Sequence, residues 1–240
     1  VLAGRHGTVD HLGLVERLGD EDDHAVWQRI IGTLTAMDRL LDDPDARRVF
    51  QSRVTTLVTP ALDRVGREPS EGEPDTTRKL RGVLFEALGV LGDDPATQVR
   101  ARDLHEAALS HPGSVDPELV VASISTIAAS GGVDEFDGFL SLFAGASTPQ
   151  EELRYLSALA DFDDPDLARR LLELTLTDRV RTQNAPYLLR RALANRDQGH
   201  LAWQFVSANW EAVNERFPSN SIVRLLEGIR SLSRPDEAQA

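Results

Sequence analysis

The sequence predicts an all-α protein, an irregular α-solenoid of antiparallel helix pairs similar to HEAT or armadillo arrays and bent into a cup-shaped superhelix. Apolar residues recur at spacings of three and four along nearly the whole chain, which is typical of amphipathic helices, and the two-residue alternation of strands is almost absent. Aspartate or threonine directly precedes proline at several positions. About twelve helices are expected at uneven intervals, so we predict stacked helix pairs without a strict repeat.

The first strong helical pattern runs from Asp23 to Leu41 and contains Trp27 in one wide apolar stripe. A shorter helix is predicted before it, at Val9–Leu18. Comparable stripes follow along the rest of the chain: Val49–Val65, Leu80–Leu91, Leu104–Leu109, Leu119–Ile127, Phe136–Phe143, Leu153–Leu159, Leu167–Leu176, Tyr187–Leu193, Leu201–Val213 and Ile222–Leu232.

Helix starts share one chemistry. A capping side chain accepts the unpaired N–H groups of the first turn, and a proline at the first helical position needs no partner for its nitrogen. The acidic clusters at 20–23, 42–45 and 161–166 therefore favour helix capping over calcium binding, because none has the ligand spacing of a calcium loop. The predicted starts are Asp43-Pro44, Asp94-Pro95, Asp116-Pro117, Thr148-Pro149 and Asp164-Pro165.

The chain of 240 residues is expected to form one helical domain over 1–240. It begins at Val1 and ends in polar sequence, so we expect it to be a fragment of a longer chain. The one long aperiodic stretch is Arg67–Asp75. A mobile surface loop between two helices of one array is the preferred interpretation of this stretch, and a domain linker is the alternative.

Charge and composition exclude several classes of partner. The chain has 39 acidic and 26 basic residues, a net charge of −13, so nucleic acid and anionic membranes are not expected to bind it. It contains no cysteine, which rules out disulfides, thiolate metal sites and thiol catalysis and fits a reducing, cytoplasmic compartment. We expect neither a membrane span nor a signal peptide in this sequence.

No catalytic motif is found in the sequence. HEAAL at His105–Leu109 differs from the HExxH zinc motif at its last position, where a second imidazole is required. No serine triad, phosphate-binding glycine loop or dinucleotide fingerprint is present. We therefore expect no catalytic residue, no metal site and no cofactor in this chain.

Arginines collect around one predicted turn, RTQN at 181–184. A guanidinium can bind a carboxylate through two hydrogen bonds, so the group could dock an acidic partner such as a peptide C-terminus. Pairing with nearby aspartates and glutamates is the alternative, and both remain open for Arg179, Arg181, Arg190, Arg191 and Arg196.

The stretch from Arg179 to Phe217 resembles the C-terminal helical domain of zinc aminopeptidases of the aminopeptidase N type. That pattern has a basic residue, a glutamine, an acidic residue, a helix and then an "N…G…LAW.F…NW" segment. Asn184 departs from it, because the family usually has a carboxylate there. The resemblance covers roughly Val9 to Ser233, and the matching residues are Arg181, Gln183, Asn195, Gly199, Leu201, Ala202, Trp203, Phe205, Asn209, Trp210 and Phe217.

The resemblance implies a non-catalytic domain that covers the catalytic domain of a peptidase, encloses its peptide chamber and limits substrate size. The zinc ion, its HExxH ligands and the G-x-M-E-N loop would belong to a preceding domain. Arg181 and Gln183 are then expected to meet the peptide substrate. The aromatic residues are expected to be structural anchors of the core: Trp203, Phe205, Trp210 and Phe217.

A stand-alone α-solenoid scaffold that binds a protein partner on its concave face is the alternative function. The two functions differ in what precedes the chain. An upstream HExxH and G-x-M-E-N sequence would identify the peptidase, and their absence would favour the scaffold.

Overall fold

A computed structural model describes Gly13, Val15 and residues 21–232 of the chain. Residues 21–232 form twelve α-helices and two short 3-10 helices, and contain no β-strand. The predicted all-α class is therefore confirmed. Gly13 and Val15 are helical, and the remainder of the helix predicted at Val9–Leu18 lies outside the described residues.

The helices follow one another with short connections. The α-helices, in chain order, are α1 His24–Asp38, α2 Pro44–Val65, α3 Asp75–Val90, α4 Pro95–Ser110, α5 Pro117–Ser130, α6 Val133–Gly145, α7 Pro149–Ala158, α8 Pro165–Thr175, α9 Ala185–Leu193, α10 Gly199–Ala208, α11 Trp210–Arg216 and α12 Ser219–Leu226. The 3-10 helices are Leu159–Asp161 and Glu227–Ser231.

All five predicted helix starts have the predicted capping. Asp43 accepts a hydrogen bond from the Ala46 N–H over 2.8 Å, and α2 begins at the following proline. The other four caps make the same kind of bond at the starts of α4, α5, α7 and α8: Asp94, Asp116, Thr148 and Asp164. One carboxylate of each acidic cluster at 42–45 and 161–166, Asp43 and Asp164 respectively, thus caps a helix.

The helices fall into two compact units, residues 1–127 and 128–240, and α5 runs across the boundary. In the first unit, α3 packs against α1, α2 and α4. Its core is apolar and contains the fully buried Trp27, Leu34, Leu62 and Leu84. The indole N–H of Trp27 donates to the Glu21 carbonyl over 2.9 Å, so this large side chain is buried without an unpaired donor.

The most unusual member of this unit is Arg81, whose side chain is 0% exposed. Its guanidinium donates to both carboxylate oxygens of Glu73, over 2.6 and 2.5 Å. It also donates to the backbone carbonyls of Gly66 and Val65, which end α2, over 2.7 and 3.4 Å. A buried charge is tolerated only when it is paired and hydrogen-bonded, and Arg81 meets that condition.

The aperiodic stretch Arg67–Asp75 lies inside the first unit, between α2 and α3. Glu73 belongs to this stretch, so its ion pair with Arg81 ties the loop to α3. The hydrogen bonds from Arg81 hold the pKa of Glu73 below its ordinary value. The pair therefore stabilises the fold above the unfolded-state pKa of a glutamate, and this stability is lost as the pH falls through the lowered pKa of Glu73.

In the second unit, α9 is the central element. It packs against α7, α8, α10 and α12 and against both 3-10 helices. Beside it lies an aromatic cluster in which Phe162 meets Phe136 and Phe139 edge-on, with ring centroids 5.3 and 5.9 Å apart. Edge-to-face packing of this kind is favourable for aromatic pairs. The stacking of the helix pairs into a single cup-shaped domain stays a prediction.

We predict that Arg81→Met destabilises the protein by about 3–5 kcal/mol, because the change removes both of its hydrogen bonds to the buried carboxylate of Glu73 and leaves, of the ion pairs of Glu73, only the longer contact with Arg78, 4.0 Å away. Chemical denaturation of the wild-type and variant proteins at neutral pH measures this loss. Arg100→Ala is the matched control, since Arg100 forms an exposed ion pair with Glu68 and should contribute less than about 1 kcal/mol. Equal effects of the two substitutions would contradict the role given to Arg81.

Candidate functional site

The RTQN turn lies in the connection between α8 and α9 and is fixed at both ends. Arg216 of α11 donates to the Thr177 carbonyl over 2.8 Å and to the Asp178 carboxylate over 2.9 Å. At the other end, the Arg181 carbonyl accepts from the N–H groups of Asn184 and Ala185 over 2.8 and 3.1 Å, which closes the turn. This short segment therefore holds Arg181 at a defined position.

Arg181 forms an ion pair with Glu152 of α7, with Nη2 of Arg181 2.9 Å from Oε2 of Glu152. The arginine side chain is 59% exposed and the glutamate side chain 17% exposed. The guanidinium thus presents most of its surface to solvent while Glu152 lies deeper. An ion pair this exposed contributes little to stability, so Arg181 is available for other interactions.

The other arginines of the group also have acidic neighbours. Arg191 makes two hydrogen bonds to Asp161, over 2.8 and 2.6 Å, and Arg190 lies 3.2 Å from Glu227. Arg196 pairs with the adjacent Asp197. Arg179 is exposed and its side chain has no partner among the residues that the structure describes. Intramolecular pairing, the alternative interpretation, is therefore what the structure shows for Arg181, Arg190, Arg191 and Arg196.

A groove of about 590 Å³ lies beside this turn, between α7 and α9. Leu153 and Tyr187 line it, and they are 43% and 52% exposed. Leu156 and Leu188 form its buried wall, and the α9 arginines 190 and 191 also line it. Apolar walls with a few polar groups are typical of ligand-binding clefts.

Gln183 and Asn184 complete the turn. Gln183 is exposed, and its side chain makes no hydrogen bond to any residue in the described part of the chain. Asn184 precedes α9 and lines the groove, but its side chain does not cap the helix. Arg181 and Gln183 therefore lie close in sequence and both face solvent, while Arg181 alone has an acidic partner. Their contact with a peptide stays a prediction.

The four aromatic anchors are not all alike. Phe217 is buried, whereas Trp203 and Phe205 are partly buried and Trp210 is 41% exposed. The anchor role stays a prediction, and Trp210 fits it least.

The sequence interpretation of Leu201–Val213 as one continuous helix is wrong, because the helix is interrupted at Asn209. The Asn209 side chain and backbone N–H both donate to the Phe205 carbonyl, over 2.9 and 3.0 Å. A side-chain amide that bonds to the backbone in this way competes with helix continuation. Trp203 and Trp210 consequently lie on different helices, α10 and α11.

The end of α9 is closely packed. Asn195 follows this helix and donates to the carbonyls of Ala160 and Phe162, both over 2.9 Å. Its side-chain oxygen accepts from the N–H groups of Asp197 and Gln198, also over 2.9 Å. All four bonding positions of the amide are therefore used, and they connect the 3-10 helix before α8 to the start of α10.

Two glycines approach the backbone and side chain of Leu193 at the same helix end. A Cβ atom on Gly199 would lie 2.7 Å from the Leu193 carbonyl oxygen, and one on Gly228 would lie 2.9 Å from the Leu193 Cβ. Neither distance is compatible with a side chain. The "N…G" part of the sequence pattern, Asn195 and Gly199, thus has a structural explanation: these two residues fix the C-terminal end of α9.

Among the described residues, no group of three or more His, Asp or Glu side chains is placed to hold a metal ion. His105 lies on α4, and burial lowers its pKa below the ordinary value. Within the same part of the chain, none of the helices combines the length and the apolar character that crossing a membrane requires.

Sequence reasoning missed Glu152 and the exposure of Tyr187. Glu152 is one of two acidic residues in the first turn of α7, which is a usual place for a carboxylate, so the sequence gives it no separate role. Tyr187 falls in the apolar stripe of α9, and only the position of α7 leaves it at the edge of a groove. A separation of 29 residues along the chain gives no local signal for the Arg181–Glu152 pair.

Comparisons with known proteins agree with one another. The sequence model of a family described as "ERAP1-like C-terminal domain" matches residues 1–240. The chain is similar to Aminopeptidase M1-A of Oryza sativa subsp. japonica, with 26% identity over 98% of the chain and 27% of the relative. It is also similar to Alanine/arginine aminopeptidase of Saccharomyces cerevisiae, with 21% identity over 96% of the chain and 27% of the relative. The chain thus spans about a quarter of the length of these curated relatives.

We predict that Gly199→Ala destabilises the protein by about 1–3 kcal/mol, because the new methyl group would overlap the Leu193 carbonyl. Gly138→Ala in α6 is the matched control, since a Cβ there meets no atom within 4 Å. At this exposed helical position alanine should stabilise by about 0.5–1 kcal/mol. Thermal unfolding measures the stability of both variants against the wild-type protein. An unchanged stability of Gly199→Ala would contradict the close packing of Gly199 against Leu193.

Proposed function

Because the chain belongs to the family of ERAP1-like C-terminal domains, we propose that it is the non-catalytic C-terminal domain of a zinc aminopeptidase. In this proposal the whole protein removes N-terminal residues from peptides. The domain encloses the peptide chamber and limits the size of the substrate. The observation that carries the proposal is the family match over the whole chain, together with relatives named as aminopeptidases that are about four times longer.

The RTQN turn supplies the proposed peptide contacts. Arg181 offers a positive charge to the carboxylate of a peptide, and Gln183 offers an amide that can pair with peptide N–H or C=O groups. Both side chains are exposed and sit on a segment that Arg216 and the turn hydrogen bonds hold in place. A rigid support of this kind favours binding, because little conformational entropy is lost when the ligand is bound.

The groove between α7 and α9 supports a peptide ligand in particular. Its apolar wall can take side chains of a peptide, and the arginines that line it, Arg190 and Arg191, are paired with Glu227 and Asp161. A short flexible peptide fits these features better than a folded protein surface does.

The zinc ion of the proposed enzyme finds no ligand set among the residues that the structure describes. We therefore assign zinc and the bond-breaking chemistry to another part of the protein, as the resemblance to aminopeptidase N implies. In this proposal the chain binds the peptide, encloses the chamber that holds it and excludes large substrates. Closing a chamber around a peptide keeps out bulk water and large folded substrates.

The stand-alone scaffold has no observation that favours it over the peptidase domain. We keep the cytoplasm as the proposed location, on the absence of cysteine from the chain.

We predict that the 240-residue chain, produced alone, does not hydrolyse an aminoacyl-p-nitroanilide when zinc is supplied. The reason is that the described residues hold neither a metal ligand set nor the HExxH motif. Absorbance of released p-nitroaniline measures the rate, with circular dichroism as the check that the chain is helical. Zinc-dependent turnover by the folded chain would overturn the non-catalytic assignment.

Arg181→Ala in the full-length protein should raise KM for longer peptides by about ten-fold, because a charge-assisted hydrogen bond contributes about 1.5–3 kcal/mol. KM for a single-residue chromogenic substrate should change little, since such a substrate does not reach the turn. Steady-state kinetics with both substrates provide the test.

Arg169→Ala is the matched control for this experiment, because Arg169 is similarly exposed and pairs with Asp166 on the surface of α8. It removes the same charge and should leave both KM values unchanged. Equal changes for short and long substrates in Arg181→Ala would show that Arg181 is structural.

A further inference from the structure

The ion pair between Arg181 and Glu152 uses little of the bonding capacity of the arginine. Nη2 of Arg181 donates one hydrogen bond to Oε2 of Glu152 over 2.9 Å. The remaining N–H groups of this guanidinium have no partner among the residues that the structure describes. A guanidinium binds a carboxylate best through two parallel N–H groups, so this pair is incomplete.

Arg191, on the helix that follows the turn, provides the comparison. Its Nε and Nη2 donate to the two oxygens of Asp161 over 2.8 and 2.6 Å, which is the full two-bond arrangement. The two arginines have similar exposure, 45% for Arg191 and 59% for Arg181. Exposure alone therefore does not explain why Arg181 is bound through a single N–H group.

Glu152 is well placed to compete for Arg181. Its side chain is 17% exposed and projects from α7, so it remains near the guanidinium when another anion arrives. No further partner of the Glu152 carboxylate exists within the described residues. A carboxylate that made two hydrogen bonds to Arg181 would therefore have to displace Glu152 from the one bond that it holds.

We propose that Glu152 is a specificity-determining residue that occupies Arg181 until the carboxylate of a bound peptide displaces it. This inference rests on the proposed function of Arg181 as a peptide contact. A peptide with a free C-terminal carboxylate can make the exchange, because it offers two acceptor oxygens to the guanidinium. An amidated peptide makes no ion pair with Arg181 and does not displace Glu152, so the competition weakens the binding of anionic ends only and limits the preference of the site for them.

The strength of the Arg181–Glu152 ion pair sets how much Glu152 lowers the affinity for an anionic peptide. Exposed ion pairs with one hydrogen bond are weak, so Glu152 reduces the affinity for an anionic peptide by about two- to five-fold. Glu152 therefore moderates the preference of the site for charged ends without blocking the site.

The test measures binding to the full-length protein by fluorescence anisotropy. The probe is a hexapeptide labelled with fluorescein at its N-terminus, prepared once with a free C-terminal carboxylate and once with a C-terminal amide. Glu152→Gln should lower the Kd of the free-acid peptide by about two- to five-fold and leave the Kd of the amide unchanged. Glu152→Ala should act in the same direction, which guards against a new hydrogen bond from the glutamine.

Asp137→Asn is the matched control, because Asp137 also pairs with an arginine of a neighbouring helix, Arg170, and its loss changes the net charge equally. It should change neither Kd. If Glu152→Gln leaves or weakens binding of the free-acid peptide while Arg181→Ala abolishes it, the competitor role is overturned and the proposed function stands. If neither Glu152→Gln nor Arg181→Ala changes any Kd, both proposals fail.

Discussion

The second unit depends on the packing at the end of α9. Gly199 and Gly228 approach Leu193 so closely that a methyl group on either would overlap it, and Asn195 uses every bonding position of its amide beside them. These contacts set the position of α9, the helix against which most of this unit packs. The turn that carries Arg181 begins the same helix, so a constraint at one end of α9 fixes the candidate site at the other.

The first unit relies on a different device, the buried ion pair of Arg81 and Glu73. Such a pair gives little net stability compared with apolar residues of the same shape, but losing one partner is costly because the other charge remains buried. Arg81 also satisfies the last carbonyls of α2, so one side chain closes a helix end and holds a loop. We interpret the pair as a device that specifies where the long connection lies.

The sequence predicted the class, the number of helices and the helix starts, because apolar periodicity and the Asp-Pro or Thr-Pro caps are local signals. Features that depend on contacts between residues distant in sequence, or on the hydrogen bonds of one side chain, were missed. Asn209 interrupts a stripe that reads as continuous, since one amide bonds backward to Phe205. The mobility of the Arg67–Asp75 stretch stays a prediction, but neither the burial of Arg81 nor its ion pair with Glu73 of that stretch was identified from the sequence. The sequence does contain a signal for the burial of Arg81. Gly82 and Gly89 mark a closely packed face of α3, where a Cβ would meet Glu118 and Thr126. In the site, the turn was found from its arginines, and Glu152 was missed because it is distant in sequence.

A structure of the full-length protein with a bound, non-hydrolysable peptide tests the central claim most directly. The account predicts that the peptide, beyond its first residues, lies within hydrogen-bond distance of Arg181 and Gln183, and that the C-terminal unit of this chain faces the bound peptide. A peptide fully accommodated elsewhere, with the Arg181–Asn184 turn on the outer surface of the protein, would contradict it.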